Sequence, residues 1–181
     1  ISLSLTPLAI TDDLRAWDGL SERVPAAGHA ILFARSIAAV LPEDEDPHLA
    51  LMVMDVCGAP ALVARVVREY AAREARPPAV LVLGAAGKSG SLALAAARDA
   101  GAGRLVGVVP TKHEATALER VGLADHVVTA DARSPLGLSA ALASAGGPCD
   151  VTVVCVDVPG CEQPAILATA QGGTIIFFSM A

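Results

Sequence analysis

Three glycines, spaced three residues apart, mark the stretch of this sequence with the clearest chemistry: Gly84, Gly87 and Gly90 in LVLGAAGKSGSLAL. Lys88 follows the second glycine, as it does at the end of a loop that wraps a nucleoside triphosphate. That loop also needs an earlier glycine, separated by four residues from its Gly-Lys pair. Val82 stands at this position, inside an apolar run. The spacing therefore excludes the triphosphate loop.

The same glycines suit a turn that binds the diphosphate of a dinucleotide between a strand and a helix. The first would allow a tight turn, the second a close approach of backbone to diphosphate, and the third close packing of helix on sheet. The unpaired N–H groups and positive dipole end of the helix would face the phosphates. A tight turn without a ligand is the alternative. We predict diphosphate contacts from Gly84, Ala86, Gly87, Lys88, Ser89 and Gly90.

A second set of candidates follows the next predicted strand, where the ribose of the adenosine half would lie. Sites that prefer NAD place Asp or Glu there to hold the ribose 2′-hydroxyl. This sequence has Pro110 followed by Thr111, Lys112 and His113. A 2′-phosphate would suit these three residues, so we predict a nicotinamide dinucleotide, NADP in preference to NAD. A solvated helix start that touches no ligand is the alternative.

The third set lies near the carboxyl ends of the last two strands, in VCVDVPG and FFSMA. Ligands of open α/β sheets bind beyond the carboxyl ends of the strands. We therefore expect the nicotinamide and its ribose beside Val156, Asp157, Val158 and Pro159, with Ser179 opposite. Cys155 is interpreted as strand core.

An α/β fold with a doubly wound parallel sheet would position all three sets. Apolar runs alternate with helical patterns from residue 77 to residue 181, as in successive βαβ units, and the strand order should be 3-2-1-4-5. The predicted strands are 79–83, 104–109, 126–128, 150–157 and 174–179, and the predicted helices are 88–100, 112–121, 135–145 and 161–170.

Residues 1–76 have a different pattern. Three short strands are predicted at 2–10, 28–34 and 37–41, too few to close a sheet alone. Two helices should follow from Asp46, an N-cap candidate, and meet at the CGAP segment, Cys57 to Pro60. The chain starts with Ile1 and stops directly after a strand, so we expect a fragment.

The composition excludes several classes of partner. A net charge of -6 gives no basic surface for nucleic acid. No apolar run reaches the roughly 18 residues of a membrane span. The histidines have no zinc spacing and the cysteines no CxxC pair, so we predict no metal site and a reducing cytoplasm. These residues are His29, His48, His113, His126, Cys57, Cys149, Cys155 and Cys161.

Several strings together resemble one family. GAAGKSGSLAL, VCVDVPGCE, GGTIIFFSMA, SLSLTPL, AILFARSIAAVLP and VMDVCGAPA are similar to L-erythro-3,5-diaminohexanoate dehydrogenase, of the medium-chain dehydrogenase/reductase superfamily. The resemblance implies oxidative deamination of a small amino acid, 3,5-diaminohexanoate, to 5-amino-3-oxohexanoate with NAD or NADP. It also implies a homodimer or higher homo-oligomer. Residues 1–76 would be the tail of a GroES-like catalytic domain with linking helices, and residues 77–181 the nucleotide domain.

Asp55 is the one candidate catalytic residue. In related zinc alcohol dehydrogenases an Asp or Cys at about this place ligates zinc, so the resemblance makes Asp55 or Cys57 a candidate to face the substrate amine or a metal. A locally paired helix residue is the alternative. Two other functions stay open on this scaffold: a zinc-type alcohol dehydrogenase or quinone reductase, and a non-catalytic nucleotide-binding subunit.

Overall fold

The computed structural model describes residues 6–20, 24–36 and 38–178. The chain divides into two compact units, Ile1–Pro47 and His48–Ala181. The predicted boundary between residues 76 and 77 concerns domains of a larger protein, and it stays a prediction, as does the GroES-like tail.

The first unit contains a small antiparallel pair. Strand β1 (Leu8–Ile10) pairs with β2 (Gly28–Ala30), with Leu8 opposite Ala30. The predicted strands at 2–10 and 28–34 are thus shorter than expected within the described residues. The predicted third strand lies partly outside those residues, and its described positions, 38–41, form no strand. Val40 is 92% exposed there and Leu41 is only half-buried.

Two helices open the second unit and meet at the predicted break. Helix α1 (Pro47–Val56) buries only Ala50, whereas α2 (Gly58–Glu74) buries a stripe at helical spacing that includes Val63, Val67 and Tyr70. The two helices are bent by 52° at Cys57. Among the described helices none alone is long and apolar enough to cross a membrane, and α1 and α2 reach that length and composition only as this bent pair.

The core of the second unit is a five-stranded parallel sheet, as the sequence predicts. Its order is β5-β4-β3-β6-β7, which is the expected 3-2-1-4-5. The strands are β3 (Ala79–Leu83), β4 (Arg104–Val109), β5 (His126–Thr129), β6 (Cys149–Val154) and β7 (Thr169–Phe177), and the helices between them are α3 (Lys88–Asp99), α4 (Lys112–Val121), α5 (Pro135–Ala143) and α6 (Glu162–Ala168).

Alternate residues of each strand face opposite layers of helices. Val80 and Val82 belong to the apolar cluster that includes α2 and α3, while Leu81 and Leu83 belong to the cluster that includes α5 and α6. Every residue of β6 is buried. Burial on both faces explains why the strands are continuous apolar runs.

The strand ends differ from the prediction at the last pair. Strand β6 stops at Val154, and the chain turns away after Cys155, whose N–H still bonds Leu83. Strand β7 begins at Thr169, which pairs with Cys149, and a bulge precedes the pairing of Val151 with Thr174. The early start shortens α6.

A polar cluster joins α2 to the amino ends of β3 and β6. Asp150 accepts hydrogen bonds from the Tyr70 hydroxyl at 2.6 Å, from Nη1 and Nη2 of Arg76 at 2.9 and 2.7 Å, and from the Ala79 N–H at 2.8 Å. The Arg76 guanidinium and burial act in opposite directions on the pKa of Asp150, and the guanidinium prevails, so this pKa lies well below its usual range. These hydrogen bonds hold the Asp150 carboxylate at the amino ends of the strands, whereas the glycine turn lies at their carboxyl ends.

Candidate functional site

The glycine turn connects β3 to α3. Gly84 has a φ of 77°, and its N–H donates to the Val108 carbonyl at 3.0 Å. A Cβ at Gly84 would lie 2.9 Å from the carbonyl oxygen of Cys155 and from a methyl of Val156. Only glycine accepts both the positive φ and this close approach. The turn therefore sits between the ends of β4 and β6.

Gly90 and Gly87 have opposite surroundings, as their predicted roles require. A Cβ at Gly90 would lie 2.2 Å from the Gly84 carbonyl oxygen, so the missing side chain lets α3 pack on the turn. A Cβ at Gly87 would have its nearest contact at 3.4 Å, and Gly87 is exposed. Gly87 caps α3 without a side-chain hydrogen bond. The N-cap residue itself therefore offers no side-chain acceptor to the first N–H groups of α3, as a diphosphate site requires.

A pocket of about 670 Å³ opens at the carboxyl ends of the strands, beside this turn. A volume of several hundred Å³ is typical of sites for small molecules and cofactors. Its walls combine the turn with the segments that follow β4, β5 and β6. The lining residues are Gly84, Ala86, Gly87, Val108, Val109, Pro110, Glu114, Ala130, Asp131, Ala132, Arg133, Cys155, Val156, Val158 and Cys161.

The pocket brings together only some of the predicted site residues. Gly84, Ala86, Gly87, Val156 and Val158 lie in its walls. The other described candidates for cofactor binding do not line the pocket, and their roles stay predictions. They are Lys88, Ser89, Gly90, Thr111, Lys112, His113, Asp157 and Pro159. Ser179 lies outside the described residues.

Thr111 has a local role that the sequence reasoning missed. Its side-chain oxygen accepts from the Glu114 N–H at 3.2 Å, and its hydroxyl donates to Glu114 Oε2 at 2.6 Å. Thr111 is therefore the N-cap of α4, and Lys112 and His113 are exposed on its first turn. Glu114 enters the pocket wall instead. The signal was present in the sequence as T-x-x-E, the pattern of a capping box.

Asp131 and Arg133 form a second polar feature of the wall that sequence reasoning did not find. Arg133 donates to Asp131 through its backbone N–H at 2.9 Å and through Nε and Nη2 at 3.0 and 2.9 Å. These hydrogen bonds lower the pKa of Asp131 and raise that of Arg133. The two charges compensate each other, because the guanidinium fork is committed to the carboxylate.

Two thiols line the pocket, and neither is activated. Burial raises the pKa of Cys155 to about 11 and also raises that of Cys161. A neutral thiol is a poor nucleophile and a poor metal ligand. Cys155 was predicted to be strand core, but it follows the last residue of β6, is half-buried and lines the pocket.

Asp55 on α1 reaches the glycine turn. Its Oδ2 lies 3.8 Å from Nζ of Lys88, and the two side chains are 72% and 48% exposed. An exposed pair at this distance stabilises the fold little. In the part of the chain that the structure describes, no group of three or more His, Cys, Asp or Glu could hold a metal ion. Asp55 therefore stands next to the predicted diphosphate contacts as an accessible carboxylate.

The sheet order and the bare turn after its first strand define a Rossmann-type nucleotide-binding domain. Solved structures share this fold. A short chain alcohol dehydrogenase from E. coli CFT073 complexed with NADH superposes with a TM-score of 0.55 at 18% identity, covering 78% of this chain and 39% of that one. A protein assigned as a zinc-binding dehydrogenase from Sinorhizobium meliloti 1021, bound to NADP, has a TM-score of 0.58 at 22% identity and covers 89% of this chain and 47% of that one.

Sequence comparison identifies a narrower group. Residues 1–42 match the L-erythro-3,5-diaminohexanoate dehydrogenase N-terminal domain family. The L-erythro-3,5-diaminohexanoate dehydrogenase of Acetoanaerobium sticklandii is 39% identical over 185 residues, which cover 100% of this chain and 52% of that protein. The resemblance stated from the sequence is therefore confirmed. The chain spans about half the length of the curated relatives it matches.

Proposed function

We propose that this chain carries the cofactor-binding part of an NAD(P)-dependent dehydrogenase that oxidatively deaminates L-erythro-3,5-diaminohexanoate to 5-amino-3-oxohexanoate. The supporting observation is the turn at residues 84–90, which presents uncapped N–H groups beside a pocket, in a chain 39% identical to an enzyme of that name. The two dehydrogenases that share the fold are consistent with an oxidoreductase, and at 18% and 22% identity they carry no argument about the substrate.

The described residues fit a dinucleotide. The N-terminus of α3 would hold the diphosphate through backbone N–H groups, and Lys88 and Ser89 would add a charge and a donor. The apolar wall at Val156 and Val158 would lie against the nicotinamide. A bound nicotinamide supplies the hydride acceptor. The fit rests on the missing side chains at Gly84 and Gly90, because any Cβ there would collide with backbone.

In the proposed reaction, a hydride leaves the substrate carbon that bears the 3-amino group, and the resulting imine reacts with water to give the ketone and ammonium. The amine must be neutral when the hydride leaves, so a nearby base would assist. Asp55 is the candidate, because its carboxylate is exposed and lies 3.8 Å from Lys88 at the turn.

The full-length enzyme tests this proposal. We expect the reduced-nicotinamide absorbance to rise when 3,5-diaminohexanoate is mixed with the protein and NAD or NADP. Asp55→Asn should lower kcat by about a hundredfold or more, the typical contribution of a general base. Asp99→Asn, at an exposed position at the end of α3, is the matched control and should keep full activity.

Other outcomes would select the alternatives. Turnover of simple alcohols or quinones, without turnover of the diamine, would replace the proposal with a zinc-type alcohol dehydrogenase or quinone reductase. Tight cofactor binding with no turnover of any of these substrates would indicate a non-catalytic nucleotide-binding subunit. A full rate in Asp55→Asn would remove the base role alone.

We also propose that the protein forms a homo-oligomer in the cytoplasm. Strand β7 pairs with β6 along one side, and in the described part of the sheet its other side has no partner strand. Phe177 is 50% exposed on this edge. A second copy could extend the sheet here. Light scattering of the full-length protein would give the number of subunits, and a monomer would contradict the proposal.

A further inference from the structure

Glu114 brings a carboxylate into the pocket on the side of β4. Its position follows from the fold, because β4 ends at Val109 and α4 begins at Lys112, which places Glu114 in the first helical turn. Glu114 is half-buried and lines the pocket together with Val108, Val109 and Pro110. In a sheet of this order the segment after the second strand faces the ribose of the adenosine half.

The carboxylate is held in place with acceptor capacity left over. The Thr111 hydroxyl donates to Oε2 of Glu114 at 2.6 Å, and the Glu114 N–H donates to Oγ1 of Thr111. Among the described residues no hydrogen bond to Oε1 is formed. An ionised carboxyl group has about four acceptor positions, so the capping contact leaves room for a ligand hydroxyl. A helix cap alone would not require this side chain to line a pocket.

No cation in the described walls balances the charge of Glu114. The nearest cationic wall residue in sequence, Arg133, is bound by three hydrogen bonds to Asp131, so that pair adds no net charge. Lys112 and His113 are exposed and do not line the pocket. Lys88 lies at the diphosphate turn, beside Asp55. Among the described wall residues, Glu114 therefore has no cationic partner.

We propose that Glu114 selects NAD over NADP. Its carboxylate accepts a hydrogen bond from the 2′-hydroxyl of the adenosine ribose, and it repels the two negative charges of a 2′-phosphate at the same position. The inference rests on the proposed nicotinamide cofactor, and it reverses the preference that residues 110–113 alone suggest. The acidic residue absent from the end of β4 is supplied from the first turn of α4.

Equilibrium binding of reduced cofactors to the full-length protein tests this inference. NADH and NADPH are titrated separately, and each Kd is measured by nicotinamide fluorescence. We expect NADPH to bind at least about tenfold more weakly than NADH, because like charges in a partly buried site repel each other strongly. In Glu114→Gln this ratio should fall by about tenfold or more, mainly through tighter NADPH binding.

Glutamine keeps the capping contact with Thr111, so Glu114→Gln separates charge from helix capping. Glu119→Gln is the matched control, since Glu119 is an exposed residue of the same helix outside the pocket wall, and it should leave the ratio unchanged. Thermal unfolding of both variants reports any loss of folding.

NADPH binding as tight as NADH in the unchanged protein, or a ratio in Glu114→Gln equal to that in Glu119→Gln, overturns the role of Glu114 and leaves the dehydrogenase proposal standing. Binding of neither cofactor overturns both. A lower ratio in Glu114→Gln with unchanged thermal unfolding supports the inference.

Discussion

Replacing Asp150 with alanine should destabilise the nucleotide domain and leave its pocket intact. The side chain of Asp150 is 12% exposed and accepts hydrogen bonds from α2, from the segment before β3 and from β3 itself. It lies at the amino end of β6, whereas the pocket lies at the carboxyl ends of the strands. Stability and cofactor affinity should therefore separate in this variant.

The size of the effect follows from the groups that lose their acceptor. Two donors would lose their hydrogen-bond acceptor: the Tyr70 hydroxyl and the Ala79 N–H. Tyr70 is only 5% exposed. An unsatisfied buried donor costs about 1–3 kcal/mol, and the Ala79 N–H is only partly buried. The 54% exposed guanidinium of Arg76 can return to water. We expect the free energy of unfolding to fall by about 3 kcal/mol.

Urea unfolding, followed by circular dichroism, measures this loss in the full-length protein. Asp99→Ala is the control, because Asp99 is an exposed carboxylate at the end of α3. It should change the free energy of unfolding by less than about 0.5 kcal/mol. The Kd for NADH should be the same in both variants. A loss below about 1 kcal/mol in Asp150→Ala, or weaker NADH binding at unchanged stability, would refute the reasoning.

Two further predictions concern the same domain. Gly90→Ala would place a Cβ 2.2 Å from the Gly84 carbonyl oxygen, so it should lower the free energy of unfolding by about 1–3 kcal/mol and weaken NADH binding. Gly87→Ala should weaken NADH binding at nearly unchanged stability. Equal stability of the two variants in urea would contradict this prediction. Because the pKa of Asp150 is lower in the folded state than its unfolded value of about 3.9, the stability that it contributes is present above about pH 4 and is lost as the pH falls below it; acid titration of unfolding should show a smaller loss in Asp150→Ala.

The sheet and the turn could be predicted from local sequence. Strands β3, β4 and β6 are buried on both faces, so their continuous apolar runs predict both their positions and the helix layers that cover them. The turn could be predicted because Gly84 and Gly90 stand where a Cβ would collide with the backbone. The end of β6 and the start of β7 were misjudged, because the bulge between Cys149 and Val151 is a property of strand pairing.

The polar walls of the pocket were harder to predict than its turn. The prediction covers residues 110–113, directly after β4, and omits Glu114, the third residue in the first turn of α4. Asp131 and Arg133 were missed because they follow β5, which contributes no glycine motif. Their approach to the glycine turn depends on the sheet order, which places β5 beside β4. Long-range neighbours of this kind become visible only when the strands are assembled.

Polar groups are satisfied differently at the amino ends and at the carboxyl ends of the parallel strands. At the amino ends, the Asp150 carboxylate accepts hydrogen bonds from donors of α2 and β3. At the carboxyl ends, the N-cap residue Gly87 offers no side-chain acceptor to the first N–H groups of α3. Leaving these N–H groups unpaired costs free energy unless water or a ligand accepts from them. We therefore expect Asp150 to act on stability, Gly87 on binding and Gly90 on both.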